Sequence, residues 1–175
     1  MRAETEKSKL TAFMAALGQR VSGAGRIYFA GGATALLYNW RQMTVDIDLK
    51  ADPEPPGLFE AIAHLKDELD LNVELANLDD FIPALPGWQQ RSLFIARYGK
   101  IDFYHYDPYS QALSKIQRGH ARDLVDARAM VRDHLITPDR LRELFAVIAP
   151  QFVRYPAIHP ASFRAAVDEF CSSLP

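Results

Sequence analysis

Cysteine is almost missing from this sequence: Cys171 stands alone in 175 residues. A lone thiol excludes an internal disulfide framework and fits a reducing cytoplasm. Long apolar runs are missing as well. None approaches the roughly 20 residues of a membrane-crossing helix, and the charged opening MRAETEKSKL lacks the apolar stretch of a secretory signal. The expectation is therefore a cytoplasmic protein with no membrane partner. Charge of one sign is scarce too. Twenty basic against 22 acidic side chains leave −2, which argues against an all-over cationic nucleic-acid binder but leaves room for a local basic face. His64, His105, His134 and His159 show no metal-ligand spacing, and Ser92, Ser110 and Ser114 lack the setting of an activated nucleophile. No repeats or low-complexity tracts occur. What remains is an ordinary globular composition, 49% hydrophobic and 24% charged, sufficient for one domain or a domain with a small helical appendage.

Leu10, Phe13, Met14, Leu17 and Val21 recur at three- and four-residue spacings, which predicts an amphipathic helix over 5–21. Ser22-Gly23-Ala24-Gly25 stops it. Residues 27–30 read as a strand running into Gly31-Gly32. A short helix over 33–40 and a second strand over 45–49 follow. Beyond the Pro-rich loop 52–57 come a helix over 58–69, a strand over 71–74 and mostly loop over 79–87. Strands 92–97 and 100–106, joined at Gly99, read as a hairpin. After Asp107-Pro108 the remainder is helical: 109–119, 121–134, a helix capped by Thr137 with Pro138 at its first position, and a last one opened by His159-Pro160. The pattern predicts an α+β fold, a short mixed sheet flanked by helices. Its α/β core spans 1–107, with a helical C-terminal region, 108–175, packing on it.

Asp46 and Asp48 lie two apart on the second strand and so point to one face, while Val45, Ile47 and Leu49 point to the other. Like charges this close are costly unless a cation neutralises them. Two carboxylates on a strand suit Mg²⁺, or Mn²⁺, which takes the rest of its shell from water and phosphate. A pair of such ions can clamp the attacking and leaving oxygens of a phosphoryl or nucleotidyl transfer. The same Asp-x-Asp is also the pattern of a solvated edge-strand face. Gly31-Gly32 falls at a strand-to-helix junction, where backbone can approach phosphate unobstructed and a helix start adds N–H groups. Asp102 sits between apolar neighbours on its strand, which is equally a surface position on a hairpin. Thr44 alternates with Asp46 and Asp48, shares their face and could orient one of them. Arg41 and Thr44 could also simply brace the loop before the acidic strand. Arg122 and Asp126 are spaced to pair on a helix surface. Lys115, Arg118, His120, Arg122, Arg128 and Arg132 make a basic stretch that is either a solvated face or a polyanion surface.

Strand, Gly31-Gly32, helix, then Arg41-x-x-Thr44-x-Asp46-x-Asp48 resembles the DNA polymerase beta-type nucleotidyltransferase superfamily. The nearest resemblance is to bacterial nucleotidyltransferase-like families that include the AbiEii-type toxins. It continues through Lys115 and its helix to Arg122-Asp123-x-x-Asp126, covering roughly residues 27–130. The resemblance implies a nucleotidyltransferase fold in which Asp46 and Asp48 bind the metal ions. Asp102 would be the third carboxylate, converging with them and helping to activate an acceptor hydroxyl. Gly31 and Gly32 would cradle the triphosphate, with Arg41 and Thr44 beside them. Lys115 would approach a phosphate or the acceptor, and Asp123 or Asp126 would complete a polar network near it. Arg122, Asp123 and Asp126 would count among the nucleotide-binding residues. Many active members carry Gly-Ser where this chain has Gly31-Gly32. The implied activity moves a nucleoside monophosphate from a nucleoside triphosphate to an RNA end, tRNA among the candidates, or to a protein hydroxyl. It would act as an independent enzyme or as half of a toxin–antitoxin pair. The alternative is a weak or inactive member that binds nucleotide or a cognate protein.

Overall fold

The computed structural model describes residues 3–175. In chain order the elements are α1 (Lys7–Arg20), β1 (Gly25–Ala30), α2 (Gly32–Leu37), β2 (Asp46–Ala51), α3 (Leu58–Glu68), β3 (Asn72–Leu75), a 3₁₀ turn (Leu78–Asp80), α4 (Trp88–Arg91), β4 (Leu93–Tyr98) and β5 (Ile101–His105). They are followed by α5 (Pro108–Arg118), α6 (Ala121–Arg132), α7 (Pro138–Ile148), a 3₁₀ segment (Ala149–Arg154) and α8 (Pro160–Ser172). The architecture is α+β: a five-stranded mixed sheet flanked by helices, then a helical C-terminal region. α2 ends at Leu37, short of the expected 40, because Asn39 takes a left-handed conformation and turns the chain. The expected loop over 79–87 holds part of a 3₁₀ turn, and α4 follows it at Trp88.

The chain clusters into two compact units, the first running to Ala76 and resuming over Ser92–Tyr106, the second comprising Asn77–Arg91 and Asp107–Pro175. The first unit holds the whole sheet, in the order β3-β2-β1-β5-β4. β1 is antiparallel to β2 and parallel to β5, β2 is parallel to β3, and β4 is antiparallel to β5. Period-two alternation sorts the strands into two faces. Ile27, Phe29, Ile47, Leu49, Val73, Ile101 and Phe103 form the apolar face and share one core with α1 and α3, which contribute residues such as Phe13, Leu17, Ile62 and Leu65. The register puts Arg26, Tyr28, Ala30, Asp46, Asp48, Lys50, Asn72, Glu74, Asp102 and Tyr104 on the opposite face. Apart from Ala30, every strand residue on that face is polar or aromatic.

The second unit is built on helix caps and aromatic packing. Asp107 is fully buried and caps α5: its carboxylate accepts from the Tyr109 N–H and from the Ser110 hydroxyl at 2.8 Å. Pro108 sits at the first helical position, where its missing N–H costs nothing. Arg91 clamps the same carboxylate bidentately, at 3.1 and 2.7 Å. The Tyr155 hydroxyl donates to the Asp79 carbonyl at 2.7 Å. These two ties place residues 77–91 with the helices, although they precede β4 in the chain. Thr137 caps α7, accepting from the Arg140 N–H. Phe145, Phe152 and Phe163 stack together with ring centroids 4.9–5.5 Å apart.

Candidate functional site

Asp46 opens β2 and Asp48 follows two residues on, both half-buried on the polar face, while Ile47 and Leu49 are fully buried beneath them. Ala30 pairs with Asp48, so the carboxylates lie level with the end of β1 and the turn that follows it. Gly31 makes that turn at φ 60° and ψ −127°, a conformation only glycine adopts without strain. A Cβ added there would lie 2.9 Å from Asp48 Oδ2. The bare backbone of Gly31 thus makes room for the Asp48 carboxylate.

Gly32 answers to a different neighbour. A Cβ at this position would sit 2.0 Å from Thr44 Oγ1 and 2.8 Å from Thr44 Cβ. Thr44 is buried, bridged to Thr5 through paired backbone hydrogen bonds of 2.7 and 3.0 Å. Its hydroxyl donates to the Asp46 backbone carbonyl at 3.2 Å. Through that bond it braces the start of β2, as the bracing reading of Arg41 and Thr44 expects, and its hydroxyl is given to a backbone carbonyl instead of a carboxylate. Arg41, half-buried, follows the turn after α2, and its N–H donates to the Ala35 carbonyl. At six residues, α2 carries little of the summed peptide dipole that a longer helix would present at its start.

The structure does not bring Asp102 together with the β2 pair. It shares their sheet face, but it pairs with Arg26 near the start of β1, whereas the position level with Asp48 falls to Tyr106. Four residues of strand separate the two, about 13 Å along the strand before the two-strand spacing is added. Asp102 is instead matched with Arg97 directly across the β4–β5 hairpin, bound bidentately at 2.6 and 2.8 Å. Those hydrogen bonds hold its carboxyl below the usual carboxylate range. The hairpin turn carries the reason: a two-residue link at Gly99-Lys100 sets Tyr98 opposite Ile101 and Arg97 opposite Asp102.

Two other residues stand where Asp102 was expected. β3 runs parallel to β2 with Asn72 opposite Asp46 and Glu74 opposite Asp48. The Asn72 Nδ2 group donates to Asp46 Oδ1 and, at 3.2 Å, to Glu74 Oε1. Alternation along 72–74 signalled that Asn72 and Glu74 share a face. Nothing local signalled that β3 is the neighbour of β2. Among the described residues, no three His, Cys, Asp or Glu side chains are grouped so as to hold a metal ion unaided. Two carboxylates are nevertheless what Mg²⁺ commonly takes from a protein when phosphate and water complete its shell. The Asp46–Asp48 pair, with the side-chain-free turn at Gly31 against it, fits such an ion.

The second unit holds the other expected group. Lys115 on α5 is buried, its ammonium donating to Asp126 Oδ2 at 2.9 Å and to Asp123 Oδ1 at 3.4 Å. Arg118 clamps Asp123 at 2.7 and 2.8 Å. Burial pushes the Asp123 carboxyl up, but the Arg118 hydrogen bond and the Lys115 and Arg118 charges outweigh it and hold the group below its ordinary range. Arg122 lies exposed on α6, so the surface pair spaced for Arg122 and Asp126 gives way: Asp126 is turned inward to Lys115. The basic stretch is likewise split, with Lys115 inside and Arg122, Arg128 and Arg132 outside.

His105 faces away from Asp102, as its place in the alternation predicts. It is buried against Thr34, Nδ1 lying 3.2 Å from the hydroxyl, and it packs on Tyr38, which stacks in turn on Trp40. The Thr34 hydroxyl donates to the Phe29 carbonyl, so the His105 Nδ1–H is the donor to Thr34. Burial pushes its pKa down to about 4.

Among the described residues, no helix is long and apolar enough to cross a membrane. A protein-family model described as "Nucleotidyltransferase of unknown function (DUF6036)" matches residues 8–155. No curated protein and no solved structure matched the chain.

Proposed function

The chain belongs to that family of nucleotidyltransferases, and from this premise we propose that it catalyses metal-dependent nucleotidyl transfer at the β2 carboxylates. The carrying observation is the juxtaposition of Asp46 and Asp48 on one face with Gly31, whose bare backbone sits against Asp48 Oδ2. In this reading Asp46 and Asp48 hold Mg²⁺ or Mn²⁺, which when bound supplies charge neutralisation and polarises phosphoryl oxygens. The backbone at Gly31-Gly32 receives the triphosphate, with Arg41 alongside. An acceptor hydroxyl oxygen bonds to the α-phosphorus as the bond to the bridging oxygen breaks, and pyrophosphate leaves. A carboxylate of this face takes up the hydroxyl proton. Glu74, directly opposite Asp48, lies nearer to the pair than Asp102, which is engaged by Arg97. Lys115, to which the resemblance gives a phosphate or the acceptor, is held within the second unit by Asp126 and Asp123. The acceptor is an RNA end, tRNA included, or a protein hydroxyl, in a reducing cytoplasm, and a toxin–antitoxin setting fits the same chemistry.

A second reading has one observation in its favour. With Asp102 engaged by Arg97, no third carboxylate stands on β5 beside the pair, as expected of a weak or inactive member that binds nucleotide or a cognate protein.

Two measurements separate the readings. Incubation with each labelled nucleoside triphosphate, Mg²⁺ and total RNA or lysate should place label in a macromolecule, and Asp48→Asn should abolish it. In calorimetry, Mg²⁺ with a triphosphate should stabilise the wild type by mass action, about 2.7 kcal/mol at a hundred times the Kd. Asp48→Asn should show no Mg²⁺ response and should melt no lower than wild type in metal-free buffer, because it removes a like-charge contact. Stabilisation by nucleotide without any transfer would favour the binder. Identical melting curves in all conditions would dismiss the site.

A further inference from the structure

We propose that Asn72 is the positioning residue for Asp46, holding that carboxylate in the orientation that receives the metal ion; the inference rests on the metal reading of Asp46 and Asp48. The parallel register of β2 and β3 sets Asp46, Asp48, Asn72 and Glu74 at the corners of a square on one sheet face. Neighbouring strands lie about 4.8 Å apart, so opposite residues on one face adjoin. Three corners are carboxylates, and the fourth is an amide. Its Nδ2 group donates both to Asp46 Oδ1 and to Glu74 Oε1. Ionised carboxylates only accept hydrogen bonds, so two such partners require the nitrogen, not the oxygen, to face them.

A neutral two-proton donor is what the position calls for. An aspartate at 72 would add a fourth negative charge, and an apolar residue would remove the hydrogen bond that Asp46 Oδ1 receives from β3. A hydroxyl would offer one proton where two acceptors wait. The hydrogen bond fixes Asp46 Oδ1 from the β3 side, and the Thr44 hydroxyl donates to the Asp46 backbone carbonyl. Asp46 is therefore oriented by contacts in place before any ion arrives. Hydrogen-bond partners of ligating carboxylates commonly change metal affinity by ten- to a hundredfold when removed.

The test uses the full chain, stripped with chelator and titrated with Mn²⁺ alone, reading free Mn²⁺ by its electron paramagnetic resonance signal. Asn72→Leu, Asn72→Ala, Glu74→Gln and Asp48→Asn are compared with wild type, and each is melted in metal-free buffer. Asp48→Asn should lose Mn²⁺ binding, which checks the metal reading itself. Asn72→Leu and Asn72→Ala should bind about ten- to a hundredfold more weakly, and Glu74→Gln less than fivefold more weakly. A merely structural asparagine would lower the melting temperature and leave the Mn²⁺ affinity alone. Losses below fivefold in both Asn72 variants would overturn the proposal. So would an equal loss in Glu74→Gln, because the amide would then serve Glu74. A wild type that takes up no Mn²⁺, or an Asp48→Asn protein that binds like wild type, would instead overturn the metal reading and this inference with it.

Discussion

At the scale of the residue, the two glycines of the turn do different things. Gly31 is required by its backbone conformation and by the Asp48 carboxylate against it, Gly32 by Thr44. A serine at 32, as in many active members of the superfamily resembled, would drive its Cβ into the Thr44 hydroxyl. The departure at this position is thus matched by a buried threonine twelve residues on. Gly32→Ala should destabilise the protein by about 1–3 kcal/mol, the usual cost of overpacking. Thr44→Ala in the same chain should recover part of that, because Oγ1 is the nearest atom to the new methyl. A double-mutant cycle in urea measures the coupling. Zero coupling would show that the two side chains do not compete for this space.

At the scale of the element, α5 and α6 are joined through buried charge. Lys115, Arg118, Asp123 and Asp126 balance as two cations and two anions, and three of the four are nearly inaccessible to water. Removing one member of such a set strands its partner. Asp126→Ala should therefore cost about 3–5 kcal/mol, and a Lys115→Met, Asp126→Leu double variant should be more stable than Asp126→Ala alone. Chemical denaturation of the three proteins checks the order. The sequence showed both helices and the Arg-Asp-x-x-Asp spacing, but spacing along one helix favoured Arg122 as the partner of Asp126. Only the packing of α5 on α6 brings Lys115 within 2.9 Å. At Asp102 the opposite holds. The two-residue turn at Gly99-Lys100 already pairs Arg97 with Asp102, and the hairpin register was there to be read.

At the scale of the whole molecule, His105 ties stability to pH. Its folded pKa of about 4 lies below the ordinary 6.5, so between these values the unfolded chain binds a proton that the folded one does not. Stability is therefore full above pH 6.5, falls as pH drops through the window and has lost this contribution by about pH 4. The shift corresponds to roughly 3 kcal/mol. Asp102 and Asp123, whose carboxyls are held low, add further loss at more acid pH, below the ordinary carboxylate range. His105→Phe keeps a ring against Tyr38 and removes the titration, so its stability should be nearly flat from pH 6.5 to 4.5 where the wild type declines. The other four histidines are exposed. Urea midpoints across that range decide it, and parallel slopes in the two proteins would refute the assignment.

What the sequence by itself determined is what depends on near neighbours: alternation that buries Ile47 and Leu49 and turns Asp46 and Asp48 to one face, apolar spacing that makes α1, the Thr137-Pro138 cap, and the change to helix after Asp107. Each is set within a few residues by backbone geometry and the exclusion of apolar surface from water. Apart from the β4–β5 hairpin, which its two-residue turn announces, the tertiary structure alone decided which strands lie side by side. The order β3-β2-β1-β5-β4 puts Asn72 and Glu74 beside the acidic pair and sets Asp102 at the far end of its strand. The rest of the strand order is chosen by how the whole apolar face closes over α1 and α3, a sum over residues distant in the chain, and no local pattern carries it.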